Sequence, residues 1–387
     1  MYPDLSYFFY HFFGMAPDGA LSLFKTFGLL LVMAILSAAF ILQRELKRKA
    51  KEGKFSPTLR QVNKNAPPTN GEIISNLFWG WALGFKLPYI YQHLEAVKMD
   101  PASAIFSLQG NWLFGILGGL AMGGYYYWLK LKKEKLPVEL QQEQVYPHDL
   151  IGQITVLAAI YGVVGAKIFA LLEDIPAFLR DPIGTFFSGS GLAIYGGLIV
   201  GFIGVSLYLK KKNIPVIHVL DAVAPALILA YGVGRFGCHF AGDGDWGIPH
   251  LSQIPNWWIF PDWLWAYDYP HNVINEGVPI DGCTVRYCRH LPEAVYPTAM
   301  YESIMAFSIF GILMALRKKL TVPGTLFFVY LMFNGLERFT IEKIRVNIKY
   351  DFAGIQYTQA EFIAVILFFI GLIGFFVLKA RAKKTKE

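Results

Sequence analysis

The chain has 387 residues, of which 55% are hydrophobic and only 16% charged, with a formal net charge of +7. Such a composition excludes a disordered chain, a collagen-like fibre and a disulfide-stapled miniprotein. It also argues against an ordinary soluble enzyme, in which about 25% of residues are charged, and leaves an all-α polytopic membrane protein.

A spanning helix needs about 20 apolar residues. In chain order, residues 21–42, 73–91, 111–129, 150–172, 190–209, 216–236, 297–316, 323–341 and 358–378 predict nine such helices. These stretches are continuous and lack period-two alternation, which excludes a transmembrane barrel. The opening MYPDLSYFFYHFF has no basic region, so no cleaved signal peptide is expected. The first span runs into RELKRKAKEGK, which should stay in the cytoplasm. The N-terminus is then expected outside and the C-terminal KARAKKTKE inside. The loops agree: the five cytoplasmic segments hold 23 of the 35 Lys and Arg, the five external ones 7. The basic balance is a topology signal and gives no nucleic-acid patch. Residues 1–387 are expected to form a single integral membrane domain. Its external segment 237–296 is rich in aromatics (NWWIF, DWLWAYDY) and should lie on the membrane surface.

The three cysteines, Cys238, Cys283 and Cys288, fall at or beyond the external end of the sixth span. An oxidising compartment would allow Cys283 and Cys288 to pair, leaving Cys238 odd. No zinc-type Cys/His spacing occurs, and His239 and His250 are too few to argue a metal, so none is expected.

The sequence repeats itself at an offset of 81 residues. Gly84-Phe85-Lys86-Leu87 matches Gly165-Ala166-Lys167-Ile168, Asp100-Pro101 matches Asp181-Pro182, and Phe106-Ser107 matches Phe187-Ser188. Gly110 and Gly115 match Gly191 and Gly196, and Tyr127 and Lys130 match Tyr208 and Lys211. The unit is a pair of helices, 73–129 repeating 150–211, so both copies enter the membrane in the same direction. An inverted-repeat transporter would show opposite directions. Tyr195 in the second copy is Phe114 in the first, and the first copy reads as structural padding.

Ionisable residues inside a membrane are costly and default to function. Lys167, Tyr195, Arg235, Tyr301 with Glu302, and Arg338 with Glu342 and Arg345 all fall near external helix ends. Asp221 and Glu361 are assigned to the other side. Any one of these is accounted for by interfacial snorkelling; five helices aiming polar groups at one layer are a candidate site. Residues 234–247 read GRFGCHFAGDGDWG. The four glycines after Arg235 would let backbone approach a ligand, or else form an ordinary turn leaving the helix. Arg235 offers a planar fork suited to phosphate, and Asp243 and Asp245 could hold that arginine or a polar headgroup. Small residues in GLAIYGGL (191–198), including Gly196 and Gly197, permit close helix packing.

Together these motifs resemble the prolipoprotein diacylglyceryl transferase family. The family's HGGLIG, DFxAP and GRxGNFxNGExWG stretches resemble YGGLIVG (195–201), DAVAPA (221–226) and GRFGCHFAGDGDWG (234–247). Its HPSQLYE resembles YPTAMYE (296–302), and its RFxxExxR resembles RFTIEKIR (338–345). The resemblance covers the first span and roughly residues 150–378. Family members have seven spans, and the duplicated pair accounts for nine here. The resemblance implies transfer of a diacylglyceryl group from phosphatidylglycerol to the lipobox cysteine of a prolipoprotein signal peptide, with release of glycerol phosphate, at the outer leaflet of a bacterial inner membrane. It implies that Arg235 and Arg338 bind the lipid phosphate and assist the displacement, with Tyr195 in the catalytic set. Lys167, Gly196, Gly197, Gly237, Asp243, Asp245, Tyr301, Glu302, Glu342 and Arg345 are the candidate substrate-binding residues. No metal or organic cofactor is required. The chain departs from the family pattern at four places. The family histidine is Tyr195, the asparagine of GRxGN is Cys238, the first-span tyrosine is Phe27, and the arginine of GGRxGY is Lys167. A lipid or solute transporter would instead predict inverted repeats and midplane charges. A non-catalytic lipid-binding scaffold would be expected to lose a partner such as Arg338 or Glu342.

Overall fold

A computed structural model describes residues 1–99, 101–187, 193–347, 349–352 and 354–384. Asp100, Ser188 and Gly191 of the repeat lie outside the described residues, as does the side chain of Tyr195. In chain order the helices are α1 (Leu5–Phe13), α2 (Thr26–Lys51), α3 (Asn70–Gln92), α4 (Leu94–Met99), α5 (Pro101–Phe106), α6 (Trp112–Lys133), α7 (Ile151–Glu173), α8 (Ile175–Arg180), α9 (Pro182–Phe187), α10 (Ile194–Lys211), α11 (Val216–Ala241), α12 (Thr298–Leu316), α13 (Thr325–Glu342) and α14 (Gln359–Lys384). A long helix stands at each of the nine predicted stretches. Among the described residues five, including α2, α11, α12 and α14, are apolar and long enough to cross a membrane by length and composition alone. α13 falls short for a visible reason: Glu337, Arg338 and Glu342 lie in its last turns.

The chain divides into two compact units, Ser56–Tyr208 and Met1–Phe55 with Leu209–Glu387. The first contains the repeat, and its elements keep the offset of 81. α3, α4 and α5 begin 81 residues before α7, α8 and α9, so each copy is two long helices joined by two short ones rather than a bare pair. The repeated glycines explain the shared geometry. A Cβ on Gly84 would lie 2.1 Å from the Phe114 carbonyl oxygen, and one on Gly165 would lie 2.5 Å from that of Gly196. Only glycine allows backbone to approach that closely. Lys86, equivalent to Lys167, closes its own loop by donating to the carbonyls of Ala104, Ser107 and Gln109. Strands β1 (Thr58–Asn63) and β2 (Leu140–Val145) pair antiparallel across the base of α3 and α6. Two smaller ribbons lie in the other unit: β3 (Val278–Pro279) with β4 (Arg289–His290), and β5 (Lys349–Phe352) with β6 (Ile355–Thr358). The loops are therefore more ordered than an all-α reading implies.

In the second unit Ala224, Ile228, Ala306, Ile309, Leu313 and Leu326 form the buried contact between α11, α12 and α13. Ser303 Oγ donates to the Gly232 carbonyl, tying α12 to α11 at 3.0 Å. Asp221 accepts from the amides of Gly324 (2.8 Å), Leu326 (3.0 Å) and Phe327 (3.2 Å), supplying acceptors for the otherwise unpaired first turn of α13. α2 outlasts its apolar stretch because residues 43–51 are good helix formers, and Arg48 pairs with Glu45 (2.8 Å) and Glu52 (2.6 Å) at helical spacing. Cys283 and Cys288 form a disulfide, and Cys238 is free and buried.

Two readings need correction. Glu361 does not share the Asp221 end: it opens α14 in a capping box with Thr358 and pairs with Lys343 at 2.5 Å, beside the Arg338 end of α13. Nor does the backbone leave the helix at Arg235. α11 continues to Ala241 and ends at Gly242, whose φ of 64° is left-handed. Glycine costs about 1 kcal/mol in a helix interior. At Gly237 that cost is offset by contact, since an added Cβ would sit 3.3 Å from Phe27 and Leu30 of α2.

Candidate active site

The later part of α11, the start of α12, the end of α13 with the segment that follows it, and the loop after α11 bring six charged side chains together. Glu302, in the first turns of α12, has no exposed surface. Its Oε2 contacts Arg235 Nε, and its Oε1 lies 3.3 Å from Arg338 and 3.2 Å from Arg345. Asp245 bridges two of the same cations: Oδ2 to Arg235, and Oδ1 to Arg345 at 2.8 Å. Glu342 holds Arg338 at 3.1 Å and accepts from Asn347. Three guanidinium groups are thus bound by three carboxylates, which balances the charge and fixes the planes of the cations.

Local structure explains how Asp245 reaches the cluster. After Gly242 the chain turns, with Gly244 at φ 100°. The Asp245 carbonyl accepts from Thr298 Oγ1 (2.9 Å), the Gly247 amide donates to the Tyr296 carbonyl (2.9 Å), and the Ile248 amide donates to the Ile344 carbonyl (2.9 Å). A Cβ on Gly247 would lie 2.5 Å from that Ile344 oxygen, so the close approach of the two strands requires glycine. The loop is sewn to the start of α12 and the end of α13, and its carboxylate is aimed by backbone. Burial acts to raise the Asp245 carboxyl, but Arg235 and Arg345 outweigh it and hold it below the usual aspartate value. Asp243, with burial and no such pair of cations, is raised.

Other candidates take different places. Tyr301 donates to the Leu264 carbonyl at 2.7 Å and so anchors the aromatic segment. Gly237 packs on α2, and Gly196 and Gly197 pack against α7, facing Phe169 and the Gly162 carbonyl. Lys167 is buried, 7% exposed, in the unit that also contains Tyr195. Two residues passed over in the sequence belong beside the cluster. Glu337, 4% exposed, accepts from Tyr231 at 3.3 Å, and the Arg235 guanidinium lies over the Tyr231 ring at 5.7 Å. The signal was present in Glu337 as a carboxylate inside an apolar stretch, but its neighbour Arg338 carried the motif. Cys238 Sγ, Asp243 and Asp245 stand near enough together to hold a cation. Asp245, however, is already committed to two arginines.

Three arginines are thus held in fixed orientation at one end of α11, α12 and α13, and comparison with known proteins identifies the family in which these motifs occur. Residues 105–377 match the sequence profile of prolipoprotein diacylglyceryl transferase. The chain is 30% identical over 245 residues to the phosphatidylglycerol–prolipoprotein diacylglyceryl transferase of Staphylococcus xylosus, covering 62% of this chain and 80% of the relative. It is 28% identical over 271 residues to the enzyme so named from Clostridium tetani, covering 70% and 95%. It is also 32% identical over 230 residues to that of Staphylococcus aureus strain Newman, covering 58% and 73%. With more than half its length matched and the motif arginines gathered at one end of three helices, the chain belongs to the prolipoprotein diacylglyceryl transferase family.

Proposed function

We infer that this protein transfers the diacylglyceryl group of phosphatidylglycerol to the lipobox cysteine thiol of a prolipoprotein signal peptide. The observation that carries the reading is the cluster of Arg235, Arg338 and Arg345, each oriented by a buried or half-buried carboxylate. In the reaction the cysteine sulfur attacks the glycerol carbon that bears the phosphate ester. A C–S bond forms and that C–O bond breaks. Its electron pair leaves on the phosphate oxygen of glycerol phosphate, and the thiol proton is released. The phosphate passes from one negative charge toward two, so negative charge grows in the transition state. Cations already oriented at that oxygen stabilise it by about 3 kcal/mol per well-placed donor in a water-poor site. A free thiol, with a pKa near 8.5, needs only modest help near neutral pH. Each guanidinium has five N–H donors, and Arg338, with a quarter of its side chain exposed, is the most open of the three.

Arg235 and Arg338 are proposed as the catalytic cations. Arg345, Glu302, Asp245 and Glu342 hold them, and Tyr195 provides one hydrogen bond rather than a base, since a phenol near pKa 10 is mostly protonated at neutral pH. Nine spans are proposed, with the N-terminus outside, the arginine cluster facing the outer leaflet of an inner membrane, and both substrates entering sideways from lipid. The test is an assay of the purified protein with phosphatidylglycerol and a lipobox peptide, reading the thioether product by mass spectrometry. Arg235→Ala and Arg338→Ala are each expected to lose at least a hundredfold in rate, following the loss of about 3 kcal/mol. Arg235→Lys should recover little of it, lacking the fork. Near wild-type rates in both alanine variants would reject the assignment.

A further inference from the structure

The ends of α2, α11 and α12 opposite the arginine cluster form an open pocket of about 500 Å³. Arg48, Lys49, Lys54, Arg317 and Lys318 line it. At 1.5 Å per residue, His218 in this cavity and Arg235 on the same helix stand about 25 Å apart, comparable with a hydrocarbon layer of about 30 Å. The two sites therefore occupy opposite headgroup layers.

Part of the positive charge is answered from within. Arg48 pairs with Glu45 and Glu52, Arg317 with Glu45, and Lys49 with Asp221 at 3.3 Å. Asp221 is already occupied by the amides at the start of α13. Among the described residues no carboxylate pairs with Lys54 or Lys318. A concave wall with surplus cations favours an anion that brings several oxygens. Phosphate has the required charge, and the arginine fork matches its edge. Lysines that merely snorkel at a basic membrane face would not be gathered with two arginines around one concave pocket.

We propose that this cavity binds a phosphate group, from an anionic lipid headgroup or a soluble phosphate, in the layer opposite the arginine cluster. The proposal does not depend on the transferase reaction, because none of its residues belongs to that cluster. Native mass spectrometry of the full chain in neutral detergent, titrated with phosphatidic acid, resolves each bound lipid. Wild type is expected to bind one lipid that Lys54→Gln/Lys318→Gln holds roughly 30-fold more weakly, from two surface cations lost. Diacylglyceryl transfer by the variant should stay at the wild-type rate. Calorimetry with inorganic phosphate alone distinguishes the sources: heat seen in wild type and lost in the variant extends the site to soluble phosphate, and no heat in either restricts it to lipid. A Lys319→Gln control alters exposed charge outside the cavity. Equal lipid and phosphate binding by wild type and the double variant, or an equal loss in the control, overturns the proposal.

Discussion

Glu302 makes contact with all three arginines and has no exposed surface, so the cluster stands or falls on its charge. Removing one member of a buried ion network costs about 3–5 kcal/mol, because the partners remain buried and uncompensated. Glu302→Gln keeps the shape and removes the charge. Its melting temperature should fall clearly, and turnover should drop at least tenfold, because the guanidinium planes lose their common anchor. A variant that melts and turns over like wild type would mean that the contacts are incidental. Asp243 offers the opposite case. Burial raises its carboxyl above the normal value, so its ionised form at neutral pH opposes folding. Asp243→Asn should therefore raise the melting temperature at pH 7. As pH falls through the raised pKa toward about 4, the unfolded value, Asp243 takes up its proton in the native state and the advantage should vanish. A stabilisation that persists unchanged at pH 4 would show that charge is not the cause. At this scale the sequence was informative about Arg235, Arg338, Arg345, Asp245 and Glu302, because charge in an apolar stretch is expensive and therefore conspicuous. It was silent on which carboxylate meets which arginine, since Asp245 is held by Thr298, 53 residues away, and meets Arg345, 100 residues away.

Helix positions were legible from hydropathy, and helix ends were not. α2 and α11 run past their apolar stretches into charged and glycine-rich sequence, where ion pairs in one case and packing on a neighbour in the other keep the helix going. The ribbon of β1 and β2 was invisible because TLRQVN and LQQEQV carry no apolar alternation, and their pairing depends on α3 and α6 bringing them together. The glycines Gly84 and Gly165 were conspicuous in the repeated sequence, and at both of them a helix crossing admits no Cβ. The repeat yields a test of the first copy as padding. A leucine at Gly84 must displace the Phe114 carbonyl, so Gly84→Leu should separate α3 from α6 and expose residues 94–110 to protease. Diacylglyceryl transfer should stay within about twofold of wild type, the range expected away from reacting groups. Loss of activity with α3 and α6 still protected would give the first copy a part in the reaction.

Across the whole molecule, charge and geometry constrain orientation together. β1 and β2 flank α3 and α6, so residues 58–63 and 140–145 belong to one side of their unit. In the other unit Arg235 lies in the later part of α11, Glu302 near the start of α12 and Arg338 near the end of α13, so these helices alternate in direction, and the basic ends holding Arg48, Arg317 and Lys318 gather opposite the cluster. Lys and Arg concentrate in loops that stay in the cytoplasm. If the Arg317 end is cytoplasmic, the arginine cluster faces out, where a secreted precursor presents its cysteine. α14 starts beside the cluster, with Glu361 on Lys343, and its last turn carries Arg381, Lys383 and Lys384, so on the same condition its basic end is also cytoplasmic. A phosphatase reporter that is active only after export should therefore be silent when fused after residue 384, and active when placed in the loop between α11 and α12. A bright C-terminal fusion together with a silent loop fusion would reverse the molecule in the membrane. The arginine cluster would then face the cytoplasm, where no exported precursor waits, and the transfer reaction assigned to it would lose its second substrate.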